Sequence, residues 1–455
     1  MIISPVFDKE SSKPLYIQLY EYIKTEITSG LLKPDSKLPS IREASSTLKL
    51  SKTTIENAYS QLVAEGYIDN YPKRGYFVCD LSEYNFDIER VYKNTMEFHD
   101  EIIYINDGID KESFDVPTWK RLYNKAISDP KTKIYNSCST QGEEFLREEI
   151  ANFVNTMRGG HTSAQQVIVG AGVQYLLGIL IGIIEEDYNT LAIEKPGFNK
   201  AEFVFEDYNF KIRHIEITDN DFPVSRLRES DAKVIYISPS HQYPLGTIMP
   251  VNKRMELLDW AYKKNGLIIE DDYDSLIRYG GMPIPSLQGL DKNDCVVYLG
   301  SFSKMLLPSL RISFMVIPKK LLPKYNRIKA RYSQSTSKID QIVLANFMKD
   351  GYMVKHLRKI KRIYKKKNAS LISNLKNLFE DKLEVKSSDS GLHIVCEAKT
   401  KKDKSAIMKD AQSLRILINI IRIKNNKLMF SLNYSGVDLN KITEFTKLLE
   451  KVLFE

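Results

Sequence analysis

The chain has 455 residues, too many for one hydrophobic core and enough for two or three domains. With 43% hydrophobic and 27% charged residues it reads as globular, not disordered or collagenous; its four cysteines (Cys79, Cys138, Cys295, Cys396) are too scattered for zinc or a disulfide scaffold, so a reducing cytoplasm is expected. The net charge of +8 favours an anionic partner, although residues 1–79 carry ten Lys/Arg against nine Asp/Glu and much of the excess lies in residues 355–367, which read first as a solvated helix face.

The opening MIISPVFDKE has no basic segment leading into an apolar one, so no secretory signal is read. Residues 14–29 place Leu15, Leu19, Tyr22, Ile23 and Ile27 on one helical face, and Gly30 closes the helix. Ser40, with Glu43 three residues on, forms a capping box for a second helix that turns Ile41, Ala44 and Leu48 inward. After the short turn Lys49–Leu50, Ser51 caps a third helix with Ile55, Ala58, Tyr59 and Leu62 inward. Two short helices joined by a tight turn have helix-turn-helix geometry, which puts Ser51, Lys52, Thr53 and Thr54 at a major groove. The segment YIDNYPKRGYFV then alternates and turns at residues 72–75, a hairpin wing with Lys73 and Arg74 at its tip, placed for phosphate or minor groove. Residues 80–103 are polar, without a clean period, and read as a linker.

From about Ile105 to Glu455, short β-branched runs alternate with helical patterns, which predicts an α/β domain with a mostly parallel sheet. Strands are expected at Gln166–Val169, Thr190–Ile193, Val234–Ile237, Gly266–Ile269, Val296–Leu299 and Arg311–Val316. The apolar stretch around residues 175–184 stops at Glu185, too short to span a bilayer. It belongs to VIVGAGVQYLLGIL, a strand, a glycine turn and a helix start whose amides at Gly172, Val173 and Gln174 would face an anion. EKPGF puts Phe198 after a Pro-Gly turn, where its ring either stacks on a flat ligand or fills core. SPSHQYPLG adds His241, Gln242 and Tyr243 after another strand.

LIIEDDYDS is an apolar strand ending in adjacent carboxylates, which need partners if buried. Asp271 suits a pyridinium N–H and Tyr273 a ring hydroxyl; metal ligation or a helix cap is the alternative. In GSFSKMLLPSLRISFMV, Lys304 stands after a strand with Ser301 and Ser303 beside it, and Arg311 seven residues on offers a planar fork for a phosphate. Alone, SxxK reads as a surface lysine. Together these pieces supply what pyridoxal 5′-phosphate (PLP) needs: an amine for a Schiff base, donors for the phosphate and a partner for the ring nitrogen.

LPSIREAS, LSKTTIENAYSQLVAEGYI and KRGYFV closely resemble the winged helix of GntR-type repressors along residues 14–78. That resemblance implies DNA contacts from Ser40, Arg42, Ser51, Lys52, Thr53 and Thr54, with Gly75 at the wing tip; Lys52 stands where the family usually has arginine. YNSCSTQGEEFLREEIA, GAGVQ, EKPGF, SHQYPLG, EDDYDS and SFSKxxxPxxR, in that order, resemble fold-type-I aminotransferases over residues 104–455. What this implies is PLP on Lys304, its ring nitrogen on Asp271, its phosphate on Ser301 and Arg311, and a smaller C-terminal α+β subdomain. It also implies a dimer in which a neighbour's tyrosine, here Tyr135, reaches the phosphate. The sequence departs from that family at Tyr243, where asparagine is common, and at Ser431, where an arginine for the substrate carboxylate is frequent; Arg422 and Lys200 are the alternatives for a carboxylate.

The fused order resembles the MocR family. This resemblance implies a transcription regulator, not an enzyme, that senses PLP or an amino-acid-like effector through Lys304. It further implies a head-to-tail homodimer reading two half-sites of duplex DNA. A true aminotransferase with an accessory winged helix, and a cofactor-free dimerisation platform, are the competing readings.

Overall fold

In the computed structural model, residues 5, 7, 13–80, 108–217, 221–280, 284–387 and 390–454 are described. They fall in two compact units, Met1–Asp100 and Glu101–Glu455. Apart from Asp80, the linker expected at 80–103 lies outside the described residues.

In the first unit, α1 (Leu15–Thr28) buries Leu19, Ile23 and Ile27, while Leu15, expected inward, is exposed at the open N-terminal end of the helix. Ser40 Oγ accepts from the Glu43 amide and starts α2 (Ile41–Leu48), which ends at Lys49 in the left-handed conformation. Ser51 Oγ accepts from the Thr54 amide and starts α3 (Lys52–Ala64), whose Ile55, Ala58, Tyr59 and Leu62 are buried. Each cap satisfies an amide that the helix leaves open, worth about 1 kcal/mol. Strands β1 (Ile68–Tyr71) and β2 (Gly75–Val78) pair antiparallel, and Lys37 bridges to Phe77 beside them. Lys73 and Gly75 take positive φ at the hairpin turn.

The second unit opens with α4 (Val116–Ser128) and α5 (Glu144–Arg158). Next come β3 (Val167–Gly170), α6 (Val173–Ile184), β4 (Thr190–Lys195), α7 (Asn199–Asp207), β5 (Lys211–Glu216), α8 (Val224–Glu229), β6 (Val234–Ile237), α9 (Val251–Lys263) and β7 (Leu267–Asp272). The short α10 (Leu287–Leu290), β8 (Val296–Ser301) and β9 (Ser313–Val316) complete the sheet, in the order β3-β9-β8-β7-β6-β4-β5. All its pairings are parallel except those of β9, which runs against both neighbours. Ile193, Ile269, Val297 and Leu299 pack on the α6–α7 side, and Ala192, Ile235, Ile268 and Val296 on the α8–α9 side. That alternation, with both faces covered, is why these strands read as continuous apolar runs.

The chain continues through α11 (Leu322–Ile328), α12 (Lys338–Lys349) and α13 (Tyr352–Phe379) to a smaller antiparallel sheet. This sheet comprises β10 (Leu383–Ser387), β11 (His393–Lys399), β12 (Asn419–Lys424) and β13 (Lys427–Asn433), ordered β10-β11-β13-β12 and backed by α14 (Lys404–Ser413) and α15 (Ile442–Phe454). The basic run lies on α13, with Lys355, Arg358, Arg362, Lys365 and Lys366 exposed. Lys367 of the same run is buried, pairs with Asp110 and donates to Ser435 O at 2.9 Å. Ser435 Oγ donates to Gly108 O at 2.6 Å, so the first described residues of this unit are bonded to α13 and to the loop after β13.

Candidate cofactor site and nucleic-acid interface

The parallel strands end on one side of the sheet, and the chemistry-bearing residues collect there. Gly170, Ser313 and Ser301 lie in register across β3, β9 and β8. Ser301 Oγ is 3.0 Å from Ser313 Oγ and accepts from the Ser303 amide at 3.3 Å. Gly172 caps α6 with φ near 97°, so the first-turn amides of Val173 and Gln174 have no carbonyl within the helix to bond. A Cβ on Gly172 would lie 2.7 Å from Arg311 Nη2, so the guanidinium fills the space that a side chain would take. Arg311 itself has positive φ just before β9, which turns it back toward that helix start. A helix N-terminus, a guanidinium and a hydroxyl together form a donor set for a phosphate dianion.

The three acids that end β7 have separate partners. Glu270 accepts from the amides of Leu287 and Gln288 at 2.8 and 3.0 Å. Asp272 is paired with Arg158 Nε at 2.6 Å and accepts from Tyr298 at 2.5 Å. Asp271 accepts at Oδ2 from Tyr236 at 2.5 Å, while its Oδ1 makes no hydrogen bond among the described residues. Burial pushes Asp271 up to about 7. Such a carboxyl ionises readily once a cation such as a pyridinium is placed beside it. Glu194, at the end of β4, accepts from the Ser238 amide at 3.1 Å, and burial pushes it up to about 8.

Aromatic rings line the same side. Phe198, half-buried at the start of α7, lies over Tyr236 with centroids 6.3 Å apart and planes 20° apart, and meets Tyr243 edge-on. Tyr273 OH is 3.2 Å from His241 Nδ1, which also lies 2.6 Å from Asp274. Lys304 is half-buried in the turn after β8 and close enough to His393 to disfavour a proton on that ring.

Residues 105–429 match the family model "Aminotransferase class I and II", and residues 15–78 match "Bacterial regulatory proteins, gntR family". Over 99% of both chains, the sequence is 34% identical to "Uncharacterized HTH-type transcriptional regulator YdeL" of Bacillus subtilis. It is 29% identical to "Probable rhizopine catabolism regulatory protein MocR" of Rhizobium meliloti, over 86% of this chain and 83% of that one. The chain belongs to the MocR-type transcription regulators. The fold likeness extends to solved enzymes: an archaeal alanine:glyoxylate aminotransferase superposes with a TM-score of 0.69 at 23% identity, covering 77% of this chain and 90% of the enzyme.

In the regulator's winged helix, Ser40, Arg42, Ser51, Lys52 and Thr53 are exposed around the starts of α2 and α3, with Thr54 half-buried. Ser40, Ser51 and Thr54 are also engaged in capping. Lys73 and Arg74 are exposed in the wing, where the Arg74 guanidinium lies 5.6 Å from the Phe77 ring. In the larger unit of the regulator, the sheet edge brings together Gly172, Val173, Gln174, Asp271, Tyr273, Ser301, Ser303, Lys304 and Arg311. Tyr135 is 97% exposed and joins none of them within the chain. Lys200 is exposed on α7 and Arg422 is exposed on edge strand β12, where Ile421, not Arg422, packs toward Leu245 and Met429. At Ser431 the regulator has a neutral group of side chains: Asn419 Nδ2 donates to Ser431 Oγ at 3.1 Å and to Tyr243 OH at 3.3 Å. Sequence reasoning missed Tyr236, Glu194, Asp274, Asn419 and His393. A polar residue within the apolar run VIYI was the one available signal, for Tyr236.

Proposed function

We propose that this regulator binds PLP at Lys304 and senses PLP itself or an amino-acid-like effector there, so that ligand state alters DNA binding. The observation that carries the reading is the row at the sheet edge. The Gly172 cradle, filled by Arg311, lies at the β3–β8 end together with Ser301, and a buried carboxyl with one oxygen to spare lies one strand away at Asp271. When bound, PLP would supply an aldehyde carbon held by Lys304 as a Schiff base and open to exchange with another amine.

The protein's own groups have separate tasks in this reading. The α6 amides, Ser301 and Arg311 anchor the phosphate, with Ser303 bracing Ser301. Asp271, oriented by Tyr236, holds the proton on the ring nitrogen. Tyr273 donates to the ring oxygen, and Phe198 covers one face. Residues 1–79 read DNA through Ser40, Arg42, Ser51–Thr54 and the wing at Lys73–Gly75; 80–103 link, and 104–455 form the effector and dimerisation domain. A homodimer, head-to-tail, would bring the exposed Tyr135 to its neighbour's phosphate site and present two winged helices to two half-sites. A ligand alters DNA affinity only by binding one arrangement better than another, which is what the exchange at Lys304 would provide. Arg422 and Lys200 remain candidates for an effector carboxylate.

Incubation with PLP should give a visible absorption band that Lys304→Ala lacks. A gel shift on the protein's own upstream DNA should respond to PLP or to a member of an amino-acid panel. A parent protein that stays colourless with PLP would refute the cofactor assignment.

A further inference from the structure

The small sheet meets the cofactor end of the large one through several groups, Asn419 on Tyr243 and Ser387 on Gly246 among them, and at one of these points it does so with an ionisable ring. His393 begins β11 and is buried; its ring lies over His241 with centroids 4.9 Å apart and planes 29° apart. Tyr273 also lies against His241, 5.7 Å away with planes 28° apart. The three rings therefore form a stacked group, Tyr273, His241 and His393, that links the β7 end of the large sheet to the first residue of β11. Tyr243 meets Tyr273 and His393 edge-on, at 6.1 and 6.0 Å. Gly391 allows the close approach: with φ near 75°, a Cβ there would collide with His241 Cε1 and lie 2.5 Å from Asp274 Oδ2.

The proton positions follow from the acceptors. The Asp274 carboxylate accepts, so His241 Nδ1 carries a hydrogen. With that one hydrogen aimed at Asp274, Nδ1 offers no lone pair to Tyr273, 3.2 Å away, so the tyrosine keeps its own O–H to direct elsewhere. Burial, with Asp274 and Asp271 nearby, holds Tyr273 un-ionised. Pro244 O accepts from His393 Nε2 at 3.2 Å, and burial, then His241 and Lys304, push His393 down to about 4. His393 is therefore a neutral lid on His241. The charged or titratable groups facing the stack are Asp274 and Asp271 from the β7 end, Tyr243 and Glu194 from the β6 and β4 ends, and Lys304 from the β8 end. His241, Asp274 and His393 also lie close enough to suggest a metal site. However, His241 Nδ1 is already bonded to Asp274 and His393 Nε2 to Pro244 O, so an ion held through those nitrogens would have to displace both bonds.

We propose that His393 is a positioning residue for the cofactor site. Its ring holds His241 in the orientation that makes Tyr273 a donor, so the seating of the C-terminal subdomain sets the electronic state of PLP on Lys304. This rests on the PLP reading above. The large and small sheets then exchange information through this ring contact, and subdomain movement alters the strength with which Tyr273 donates to the cofactor's ring oxygen.

The test uses full-length protein loaded with PLP and follows its visible absorbance as a function of pH. His393→Gln places an amide N–H near the Nε2 position, which keeps a donor for Pro244, and removes the ring; His393→Phe keeps the ring and removes the donor. A donor to the ring oxygen favours that oxygen's anionic form, so weakening it should raise the spectral midpoint. His393→Gln is expected to shift it up by about half to one pH unit, a hydrogen bond's worth, while His393→Phe stays with the parent. An unmoved midpoint in a folded His393→Gln protein would overturn the proposal, as would Phe shifting and Gln not, which would assign the effect to Pro244. If the parent takes up PLP and Lys304→Ala does not, the cofactor reading survives either result. If the parent develops no band, both fall.

Discussion

Replacing Gly172 by alanine tests the phosphate end of the site at one atom. The new Cβ would lie 2.7 Å from Arg311 Nη2 and 3.4 Å from its Cζ, so the guanidinium has to leave the helix start. A hydrogen bond to a charged group is worth about 1.5–3 kcal/mol, and about 1.4 kcal/mol is tenfold in affinity; the dissociation constant for PLP should rise about 10- to 100-fold. The positive φ at Gly172 adds about 1–3 kcal/mol of backbone strain, visible as a Tm lower by a few degrees with and without ligand. The control is Gly178→Ala in the same helix, where the Cβ meets only Tyr208 OH at 3.4 Å. There alanine favours the helix by about 1 kcal/mol and should leave PLP binding unchanged. Titration by absorbance and fluorescence reads both variants. A folded Gly172→Ala protein that binds PLP like the parent would show that this cradle does not hold the phosphate, and equal losses in both variants would show a helix effect.

Asp271 should leave a mark on stability against pH. Its folded value of about 7 lies above the ordinary carboxyl value of about 3.9, so its contribution is complete below about pH 4 and is lost as pH rises through about 7. Without PLP the thermal midpoint should fall over that window less steeply in Asp271→Asn than in the parent; identical slopes would contradict the assignment. Arg158→Leu leaves Asp272 buried without its partner and should destabilise the protein by about 3–5 kcal/mol in denaturant unfolding, with Asp272→Leu added recovering most of the loss. Lys52→Ala should lower the slope of log affinity against log salt on operator DNA by about 0.9 if Lys52 neutralises one phosphate. An unchanged slope would place that lysine off the DNA.

Local chemistry made much of this readable in advance. The caps at Ser40 and Ser51, the wing turn and the strands ending at Asp272 and Ser301 follow from neighbours in sequence, and the strands found lie close to those expected. Strand β5 (KIRHIE) was not foreseen, because an edge strand pairing only with β4 leaves most of its side chains in solvent and shows no apolar run. Arg311, expected within a strand, lies just before one, where its left-handed backbone turns it to Gly172. The strand that follows, β9, runs antiparallel because the tight return through residues 302–312 is too short for a crossover helix. Partners such as Tyr236 for Asp271, or His393 for His241, are separated by 35 and 152 residues, and only the folded sheets bring them together.

The bonds at Gly108 and Asp110 settle where a tug from upstream would be felt. Ser435 grips the backbone oxygen of Gly108, and Lys367 grips the Asp110 carboxylate from within the protein. Tension in the preceding segment therefore loads α13 and the exit of β13 before it reaches the large sheet. The chain's anchorage is on the half of the molecule that also carries His393.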